Sequence, residues 1–282
     1  MRAVVVALGK IGLPLAAKIA MAGHEVVGCD IDPTVVELVN AGREPFPGEA
    51  GLADALTELV GAGRLHATLD TTAAIAAGAD LVVAVPPLMV DADAAPDFAI
   101  LDAVIDDIGA GLRPGTVVSV ETTVPVGTTR KRISPALAAR SGLAAEREFW
   151  CVHSPERVYS GRIFADLETY PKLVGGLSQA GEARAAELYR AFLGAEVRTL
   201  GSAEAAELTK LAETTYRDVN IALANEFARF ADRHGIDLGP VIDAANSQPY
   251  SHLHQPGVAV GGHCIPVYPR FYHRGDPDAQ LR

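Results

Sequence analysis

The chain has 282 residues, of which 49% are hydrophobic and 21% are charged, and its formal net charge is -11. This apolar content is enough for a packed core and argues against a disordered chain. The acidic balance argues against a nucleic-acid partner and against an anionic membrane surface, because both need a basic protein surface. The three scattered cysteines fit neither a disulfide framework nor a zinc motif, so we expect no metal and a reducing, cytoplasmic location.

The N-terminus superficially resembles a secretory signal, since Met1 and Arg2 are followed by an apolar run to Leu8. Lys10 and Lys18 interrupt the apolar character, and no uncharged stretch is long enough to span a bilayer. A buried strand followed by a helix accounts for the same residues, and we therefore expect no membrane association.

Short valine-rich segments alternate with alanine-rich segments over the first part of the chain. The predicted strands lie at or near Val4–Val6, Glu25–Gly28, Leu81–Val85, Thr116–Val120, Trp150–His153, Leu173–Gly175 and Val197–Leu200, and helices are predicted at Leu13–Ala22 and Leu101–Ala110. Continuously apolar strands that alternate with helices are typical of a parallel, doubly wound α/β sheet. We therefore predict a Rossmann-like domain over residues 1–200.

The character of the sequence changes after residue 201. Ser202–His234 contains no Gly or Pro, keeps roughly helical spacing of apolar residues and ends at Gly235, a plausible C-cap. A helix of that length would extend about 50 Å, which suggests that it spans two lobes or joins two subunits. The segment Gln255–Pro269 is rich in Gly and Pro and is predicted to be a loop. Residues 201–282 are thus expected to form a long helix with a small helical and loop region.

The first predicted strand leads into a glycine-containing turn that opens a helix. In dinucleotide-binding folds, glycines at this place allow a tight turn and let a pyrophosphate approach the helix N-terminus. Ala7 stands where that fingerprint has its first glycine, so the match is imperfect. The candidate cofactor-binding residues of the turn are Gly9, Lys10, Ile11 and Gly12.

Asp30 ends the second predicted strand, 18 residues beyond Gly12. A carboxylate there can accept hydrogen bonds from the adenosine ribose hydroxyls and would repel a 2′-phosphate, which favours NAD over NADP. The alternative is that the glycines are simple turn residues and Asp30 is a solvated strand end.

Four later segments carry a family resemblance. They are Glu121–Thr129, Ser154–Arg157, Glu207–Arg217 and Gly261–Pro266. In order and spacing, together with the N-terminal turn, they resemble the UDP-glucose/GDP-mannose dehydrogenase family, particularly its UDP-N-acetylhexosamine 6-dehydrogenase members. The resemblance implies NAD-dependent, four-electron oxidation of the C6 alcohol of a nucleotide sugar to a uronic acid, as in polysaccharide biosynthesis. It also implies a homodimer that forms through the helix at residues 202–234.

The resemblance implies a role for each candidate site residue. Cys264 would be the nucleophile that forms a thiohemiacetal and then a thioester, and Lys210 would stabilise the developing oxyanion. Glu156 would orient or deprotonate the water that hydrolyses the thioester, and Thr123 would hold water near the nicotinamide. We also assign Pro86, after the strand Leu81–Val85, to the cofactor site. Without the resemblance, these residues would be an inert loop cysteine, a surface lysine, an exposed loop acid and turn residues.

The sequence departs from the family pattern at three places. Thr214 stands where the family usually has an Asn four residues after the catalytic lysine, and a hydroxyl is shorter than an amide. Tyr268 stands where the family generally has an Asp four residues after the cysteine, and tyrosine is neutral at pH 7. Family members continue beyond the segment that matches residues 201–282 into a second α/β domain that binds the nucleotide diphosphate, and we expect this C-terminal domain to be absent.

These departures leave three hypotheses for function. The first is a nucleotide-sugar 6-dehydrogenase that forms the acid from a UDP-hexose or UDP-N-acetylhexosamine. The second is a two-electron alcohol dehydrogenase that stops at the aldehyde because hydrolysis is weakened. The third is a catalytically impaired, NAD-binding or dimerising protein.

Overall fold

The computed structural model describes residues 1–258, 265, 267–276, 278 and 280, and these residues form ten strands and eleven α-helices. The strands are β1 Arg2–Val6, β2 Glu25–Cys29, β3 Leu65–Thr68, β4 Leu81–Ala84, β5 Met89–Val90, β6 Pro96–Asp97, β7 Val117–Val120, β8 Trp150–His153, β9 Lys172–Gly176 and β10 Val197–Thr199. The helices are α1 Gly12–Met21, α2 Pro33–Asn40, α3 Leu52–Gly61, α4 Thr71–Ala76, α5 Ala99–Gly111, α6 Ser134–Ser141, α7 Ile163–Thr169, α8 Gln179–Arg190, α9 Ala203–His234, α10 Leu238–Asn246 and α11 Tyr268–Gly275. A π-helical turn at Thr129–Ile133 precedes α6.

Eight strands form one sheet in the order β10-β9-β8-β7-β4-β1-β2-β3. β1 lies between β2 and β4 and pairs with both in parallel, for example through Val4, which lies opposite Val27 on one side and Val82 on the other. The chain therefore winds outward in opposite directions from β1 and β4. In such a sheet the loops at the carboxyl ends of these two strands diverge and leave a crevice, which is where ligands bind.

The central strands are buried on both faces. In β1, Ala3 and Val5 belong to the core that also includes residues of α1, α2, α3 and α8, while Val4 and Val6 are buried on the opposite face. This burial explains why the strands appear in the sequence as continuous apolar runs rather than as alternating patterns. The predicted Rossmann-like architecture is confirmed.

The chain divides into two units by its internal contacts. The first consists of Met1–Leu88 and Asp97–Glu207, and the second consists of Met89–Pro96 and the described residues from Leu208 onward. The sheet belongs to the first unit, whereas the β5–β6 hairpin falls largely in the second. Helix α9 has 32 residues, about 48 Å at 1.5 Å per residue, and continues from one unit into the other.

Three elements show why the structure differs from the sequence-based expectations. β9 runs antiparallel to β8, and the sequence could not predict this direction because an apolar run reads the same for either orientation. β3 was not predicted, since its sequence Leu-His-Ala-Thr lacks a valine-rich run. The predicted loop at residues 255–269 is wrong at its end, because Tyr268 and Pro269 lie in α11, where a proline suits the first helical turn.

Ala7 adopts a left-handed backbone conformation, with φ of 75°. Its N–H donates to Cys29 O, and its neighbour Leu8 donates to the Asp30 carboxylate, so contacts on either side of the turn hold this geometry in place. An L-residue with a Cβ pays roughly 1–2 kcal/mol in this region. Ala7, which stands where the fingerprint has its first glycine, therefore has a strained backbone conformation.

Replacing Ala7 with Gly should stabilise the chain by about 0.5–1 kcal/mol, because relief of the left-handed strain exceeds the extra flexibility of glycine in the unfolded state. Urea unfolding followed by circular dichroism measures the change. The matched control is Ala3→Gly in the extended strand β1, which should lose stability. A destabilised Ala7→Gly protein would contradict the assignment of strain.

Candidate functional site

The candidate residues of the first unit collect at the carboxyl edge of the sheet. The glycine turn follows β1, Asp30 follows β2, and Pro86 lies just beyond β4. Thr123 comes after β7 and Glu156 after β8. Because parallel strands end at the same edge, the strand order brings these five positions to one side of the sheet.

The turn after β1 has the geometry that a pyrophosphate requires. A Cβ on Gly12 would overlap the carbonyl oxygen of Ala7, so only glycine allows α1 to begin so close to β1. A Cβ on Gly9 would meet no protein atom within 4 Å, which leaves open space over the turn. Helix α1 has no acidic residue in its first turn and no side-chain cap, so its N-terminus is available to an anion. Lys10 is exposed and Ile11 half-buried beside it.

Asp30 is fixed by the turn itself. Its Oδ2 accepts a hydrogen bond from Leu8 N at 2.7 Å, and its Oδ1 accepts one from Asp32 N at 3.0 Å. A carboxylate has about four lone-pair positions, so two remain for ribose hydroxyls. The carboxylate is therefore oriented before any ligand binds, and the residues present fit a non-phosphorylated dinucleotide such as NAD.

A cavity of about 190 Å³ opens beside Gly9 and Lys10. Its far wall includes Gly48 and Glu49. The Glu49 carboxylate accepts hydrogen bonds from Gly161 N at 2.8 Å and Ile163 N at 2.6 Å, which caps α7 and ties two loops together. The space next to the glycine turn is thus bounded by a fixed wall.

The segment after β7 is held at two points. Thr122 Oγ1 donates to Pro86 O at 2.5 Å, which links the turn before Thr123 to the end of β4. Glu207, in the first turns of α9, accepts hydrogen bonds from Gly127 N at 2.5 Å and Thr129 N at 2.8 Å. Thr123 is 4% exposed and is therefore a buried residue of this edge, not a solvated turn residue.

Burial raises the pKa of the Glu207 carboxyl, and the hydrogen bonds from Thr129 and Gly127 oppose that shift. Since the folded pKa lies above the unfolded one, this group favours folding most at low pH, and its contribution declines as pH rises through the folded pKa. Through these hydrogen bonds, the Glu207 carboxyl attaches the loop that follows Thr123 to the first turns of α9, the helix that also contains Lys210.

Glu156 lies close to the same edge. Its backbone N–H donates to Glu121 O at 3.3 Å, and its side chain is half-buried. A cavity of about 20 Å³, room for roughly one water molecule, is lined by Glu121, Glu156, Arg157 and Lys172 together with apolar residues. The surroundings of Glu156 are therefore partly enclosed rather than those of an exposed loop acid.

Lys210 and Thr214 lie on α9 in the second unit, one turn apart. Lys210 is 8% exposed, which excludes an ordinary solvated surface lysine. The Thr214 hydroxyl points back along the helix, with Lys210 O at 2.9 Å and Leu211 O at 3.1 Å. A hydroxyl has one proton to donate, so in this rotamer Thr214 offers none to a ligand.

Cys264 lies outside the described residues, as do Gly261, Gly262 and His263. The chain that leads to it is held by asparagine side chains of the second unit. Asn220 donates to His252 O at 2.6 Å and accepts from His254 N at 3.0 Å, while Asn225 accepts from Gly257 N at 2.9 Å. Asn246 makes two bonds to the backbone of Leu253, at 3.0 and 2.8 Å. Tyr268, four residues after Cys264 in the sequence, is the first residue of α11.

The other two cysteines are poor nucleophiles. Burial is the main cause that raises the pKa of the Cys29 thiol to about 12, and burial likewise raises the pKa of Cys151 far above its usual value. Since the thiolate is the reactive species, neither is a candidate for covalent chemistry at neutral pH.

The sequence analysis missed the polar residues that fix these segments. Glu207 and Asn220 sit inside a helical pattern, where they look like ordinary exposed residues, yet Glu207 is fully buried and Asn220 is 8% exposed. The available signal was local for Glu207, which falls on the face of α9 that also carries the buried Lys210 and Thr214. Asn220 lies about 120° around the helix from Thr214, and no such signal marked it.

The comparisons with known proteins agree with these observations. The sequence model of the NAD binding domain of the UDP-glucose/GDP-mannose dehydrogenase family matches residues 1–193, and the model of that family's central domain matches residues 204–280. A UDP-N-acetyl-D-mannosamine dehydrogenase of Pyrococcus horikoshii is 37% identical over 95% of this chain and 63% of its own length. One of Escherichia coli is 34% identical over 97% of this chain and 65% of its own length.

Solved structures give the same result. The structure of the UDP-D-ManNAc dehydrogenase from Pyrococcus horikoshii has a TM-score of 0.94 at 35% identity, and it covers 99% of this chain and 65% of that chain. A ternary complex of GDP-mannose dehydrogenase from Pseudomonas aeruginosa has a TM-score of 0.83 at 27% identity, with 98% and 65% covered. The chain thus spans slightly less than two thirds of the length of these relatives. Among the described helices, none combines the length and apolar composition needed to cross a membrane.

The two glycines of the turn should respond differently to substitution. Gly12→Ala should lower the melting temperature strongly, because the new Cβ overlaps the Ala7 carbonyl oxygen. Gly9→Ala, the matched control, should keep its melting temperature and lose affinity for NAD+, because its Cβ enters the open space over the turn. Differential scanning fluorimetry and calorimetric titration with NAD+ separate the two effects. Unchanged NAD+ affinity in a folded Gly9→Ala protein would contradict the location of the cofactor site.

Proposed function

We propose, from the premise that the chain belongs to the UDP-glucose/GDP-mannose dehydrogenase family and carries its NAD-binding domain, that it performs NAD-dependent oxidation of the C6 alcohol of a nucleotide sugar. The observation that carries the proposal is the gathering of the glycine turn, Asp30, Thr123 and Glu156 at one edge of the sheet. The substrate class is a UDP-N-acetylhexosamine or UDP-hexose, supported by relatives named UDP-N-acetyl-D-mannosamine dehydrogenases. The free, buried thiols of Cys29 and Cys151 suit a reducing location such as the cytoplasm.

The proposed reaction has two oxidation steps. The bound nicotinamide supplies a hydride acceptor. Lys210 offers a cation held in a buried position, which stabilises negative charge that develops on the substrate oxygen more effectively than an exposed one. Asp30 and the turn around Gly9 orient the cofactor, and Pro86 and Thr123 form the neighbouring wall of the same edge.

Cys264 then provides the covalent step. Its thiolate would add to the carbonyl carbon of the aldehyde, so that a C–S bond forms while the C=O π electrons move to oxygen. The resulting thiohemiacetal would then give its hydride to a second NAD+ and become a thioester. Glu156 accepts a proton from water as that water attacks the thioester, the C–S bond breaks, and the carboxylate leaves with the thiolate restored. Each turnover consumes two NAD+ and one water.

A specific observation favours a second candidate, a two-electron dehydrogenase that stops at the aldehyde. The Thr214 hydroxyl is occupied with backbone oxygens of its own helix, so a hydrogen bond that the family obtains from an asparagine is missing. Loss of one oxyanion donor costs about 100–1,000-fold in rate. The missing donor should slow the steps in which an oxyanion forms, and it should not change the binding of the cofactor.

Replacing Cys264 with Ser should abolish acid formation, because a serine hydroxyl at neutral pH is a far weaker nucleophile than a thiolate. NADH release is counted per UDP-N-acetylhexosamine consumed, with the acid identified by mass spectrometry. Cys29→Ala, the control, removes a buried thiol and should leave acid formation unchanged. Two NADH per substrate support the dehydrogenase, and one NADH supports the two-electron candidate.

Unchanged acid production by Cys264→Ser would refute the thioester role. The assay is run on this chain alone and again with the C-terminal third of a relative supplied separately, since the chain spans 63% to 65% of those proteins. NAD+ binding without turnover under both conditions would instead support a non-catalytic, NAD-binding protein.

We further propose that α9 joins two copies of the chain. Five exposed apolar side chains fall within about 80° of one another around the helix, at about 100° per residue. They are Tyr216, Val219, Leu223, Phe227 and Phe230. An apolar stripe of this length is costly to leave in water, and a two-fold related copy would cover it with the same surface.

Leu223→Glu should convert the dimer to a monomer, because it places a charge in the middle of the stripe. Sedimentation velocity at micromolar concentration measures the species present. Asp232→Lys, on the opposite side of α9, is the control for a charge change and should stay dimeric. A monomeric parent protein would contradict the proposed assembly.

A further inference from the structure

The interior of the first unit contains an ion pair that no step of the proposed reaction uses. Lys172 Nζ lies 2.7 Å from Glu121 Oε2, with side chains 7% and 2% exposed. The Tyr189 hydroxyl, fully buried, donates to the other oxygen, Oε1, at 2.5 Å and lies 2.8 Å from Ser119 Oγ. Burial and the nearby Glu121 carboxylate raise the pKa of Tyr189, which keeps its hydroxyl protonated as a donor. Lys172 Nζ also sits 5.0 Å from the centre of the Tyr189 ring.

The network adds side-chain contacts between segments that backbone hydrogen bonds already join, since β7 pairs with β8 and Ser154 N donates to Val120 O at 3.0 Å. Glu121 directly precedes Thr122 and Thr123 at the end of β7, and its backbone O accepts the Glu156 N–H. Lys172 begins β9 and also contacts Ser154 O, at 3.5 Å, at the end of β8. The ion pair therefore reaches across β8 and connects the two segments that carry Thr123 and Glu156.

The backbone pairing next to this network is short. β8 and β9 pair in antiparallel fashion through only two residue pairs, Val152 with Gly176 and His153 with Gly175. Nearer to Lys172, side chains connect the same two segments: Ser154 Oγ donates to Leu173 O at 2.7 Å, and Lys172 Nζ lies 3.5 Å from Ser154 O. The ion pair therefore lies where the described contacts between β8 and β9 pass from backbone pairs to side chains.

Stability alone does not account for a buried ion pair. The cost of removing both charges from water is large, and buried pairs can often be replaced by neutral residues of similar volume without loss of stability. A neutral replacement does not reproduce the geometry of the Glu121 carboxylate, which binds the Lys172 ammonium through one oxygen and the Tyr189 hydroxyl through the other.

We propose that Glu121, Lys172 and Tyr189 are positioning residues that hold the Thr122–Thr123 turn and the Ser154–Glu156 segment in register at the carboxyl edge of the sheet. The functional meaning of that register rests on the proposed function. The small cavity bounded by Glu121, Lys172 and Glu156 is consistent with this role, because a shift of either segment would change the space beside the Glu156 carboxyl.

The test is the double variant Glu121→Gln/Lys172→Met, which removes both charges and nearly keeps the volume. Its melting temperature should stay close to that of the parent, whereas the single variant Lys172→Met should unfold at a much lower temperature because it leaves a buried carboxylate unpaired. Hydrogen exchange of the Glu156 amide in the double variant should be at least about tenfold faster, while amides of the β1–β2 ladder keep their protection. Acid formation should fall about 100-fold with unchanged NAD+ affinity.

The control is the double variant Asp106→Asn/Arg140→Met, which removes an exposed ion pair of 3.0 Å and should change none of these quantities. Tyr189→Phe removes one contact only and should give an intermediate exchange rate. If the double variant melted at a temperature as low as that of Lys172→Met, the ion pair would serve stability, and the proposal would be overturned.

The exchange result stands apart from the proposed function. Unchanged exchange at Glu156 overturns the positioning role whether or not the parent protein turns over, and faster exchange with an undiminished rate of acid formation overturns its functional part. If the parent forms no acid, the proposed function fails on that observation, and exchange at Glu156 alone decides the positioning role.

Discussion

The close approach of helix α1 to strand β1 is the constraint on which the rest of the first unit depends. Gly12 has no room for a Cβ because the Ala7 carbonyl oxygen occupies that space, so the chain must turn within Ala7–Ile11. The tight turn forces Ala7 into a left-handed conformation and places Leu8 N against the Asp30 carboxylate. One contact between a glycine and a carbonyl thus sets both the turn after β1 and the orientation of Asp30, the acid that we propose for the ribose.

A second device recurs around the site, namely a carboxylate that accepts two backbone N–H groups. Asp30 does this at the glycine turn, Glu49 at the start of α7, and Glu207 at the turn before α6. Each fixes a loop that strands alone leave undetermined, since charge-assisted bonds are stronger and more directional than neutral ones. Part of the acidic excess of the chain therefore serves loop structure rather than solubility.

The sheet and the cofactor end were predictable from sequence because their signals are local. Apolar runs between Val4 and Val120 report burial on both faces, and the glycine spacing reports a turn between strand and helix. The direction of β9 and the role of Glu121 were not predictable, because each depends on a partner that is distant in the sequence: β8 for β9, and Tyr189, 68 residues away, for Glu121. Lys210 and Thr214 could be named from the family resemblance. The sequence pattern did not show that the Thr214 hydroxyl bonds to Lys210 O and Leu211 O, because this depends on which rotamer the side chain adopts in the helix.

The two halves of the proposed chemistry make different demands on the sequence. In the proposed cofactor site, recognition rests largely on backbone groups and open space, so the alanine at position 7 costs some strain and leaves the geometry of the turn in place. Thioester formation and hydrolysis depend on particular side-chain atoms, and the two departures at Thr214 and Tyr268 replace an amide and a carboxylate with hydroxyl groups that cannot perform the same tasks. Because the first hydride transfer needs fewer of these atoms than the steps that follow it, we expect the covalent stage to limit the proposed reaction, and we expect the departures from the family to weigh on acid formation more than on cofactor binding.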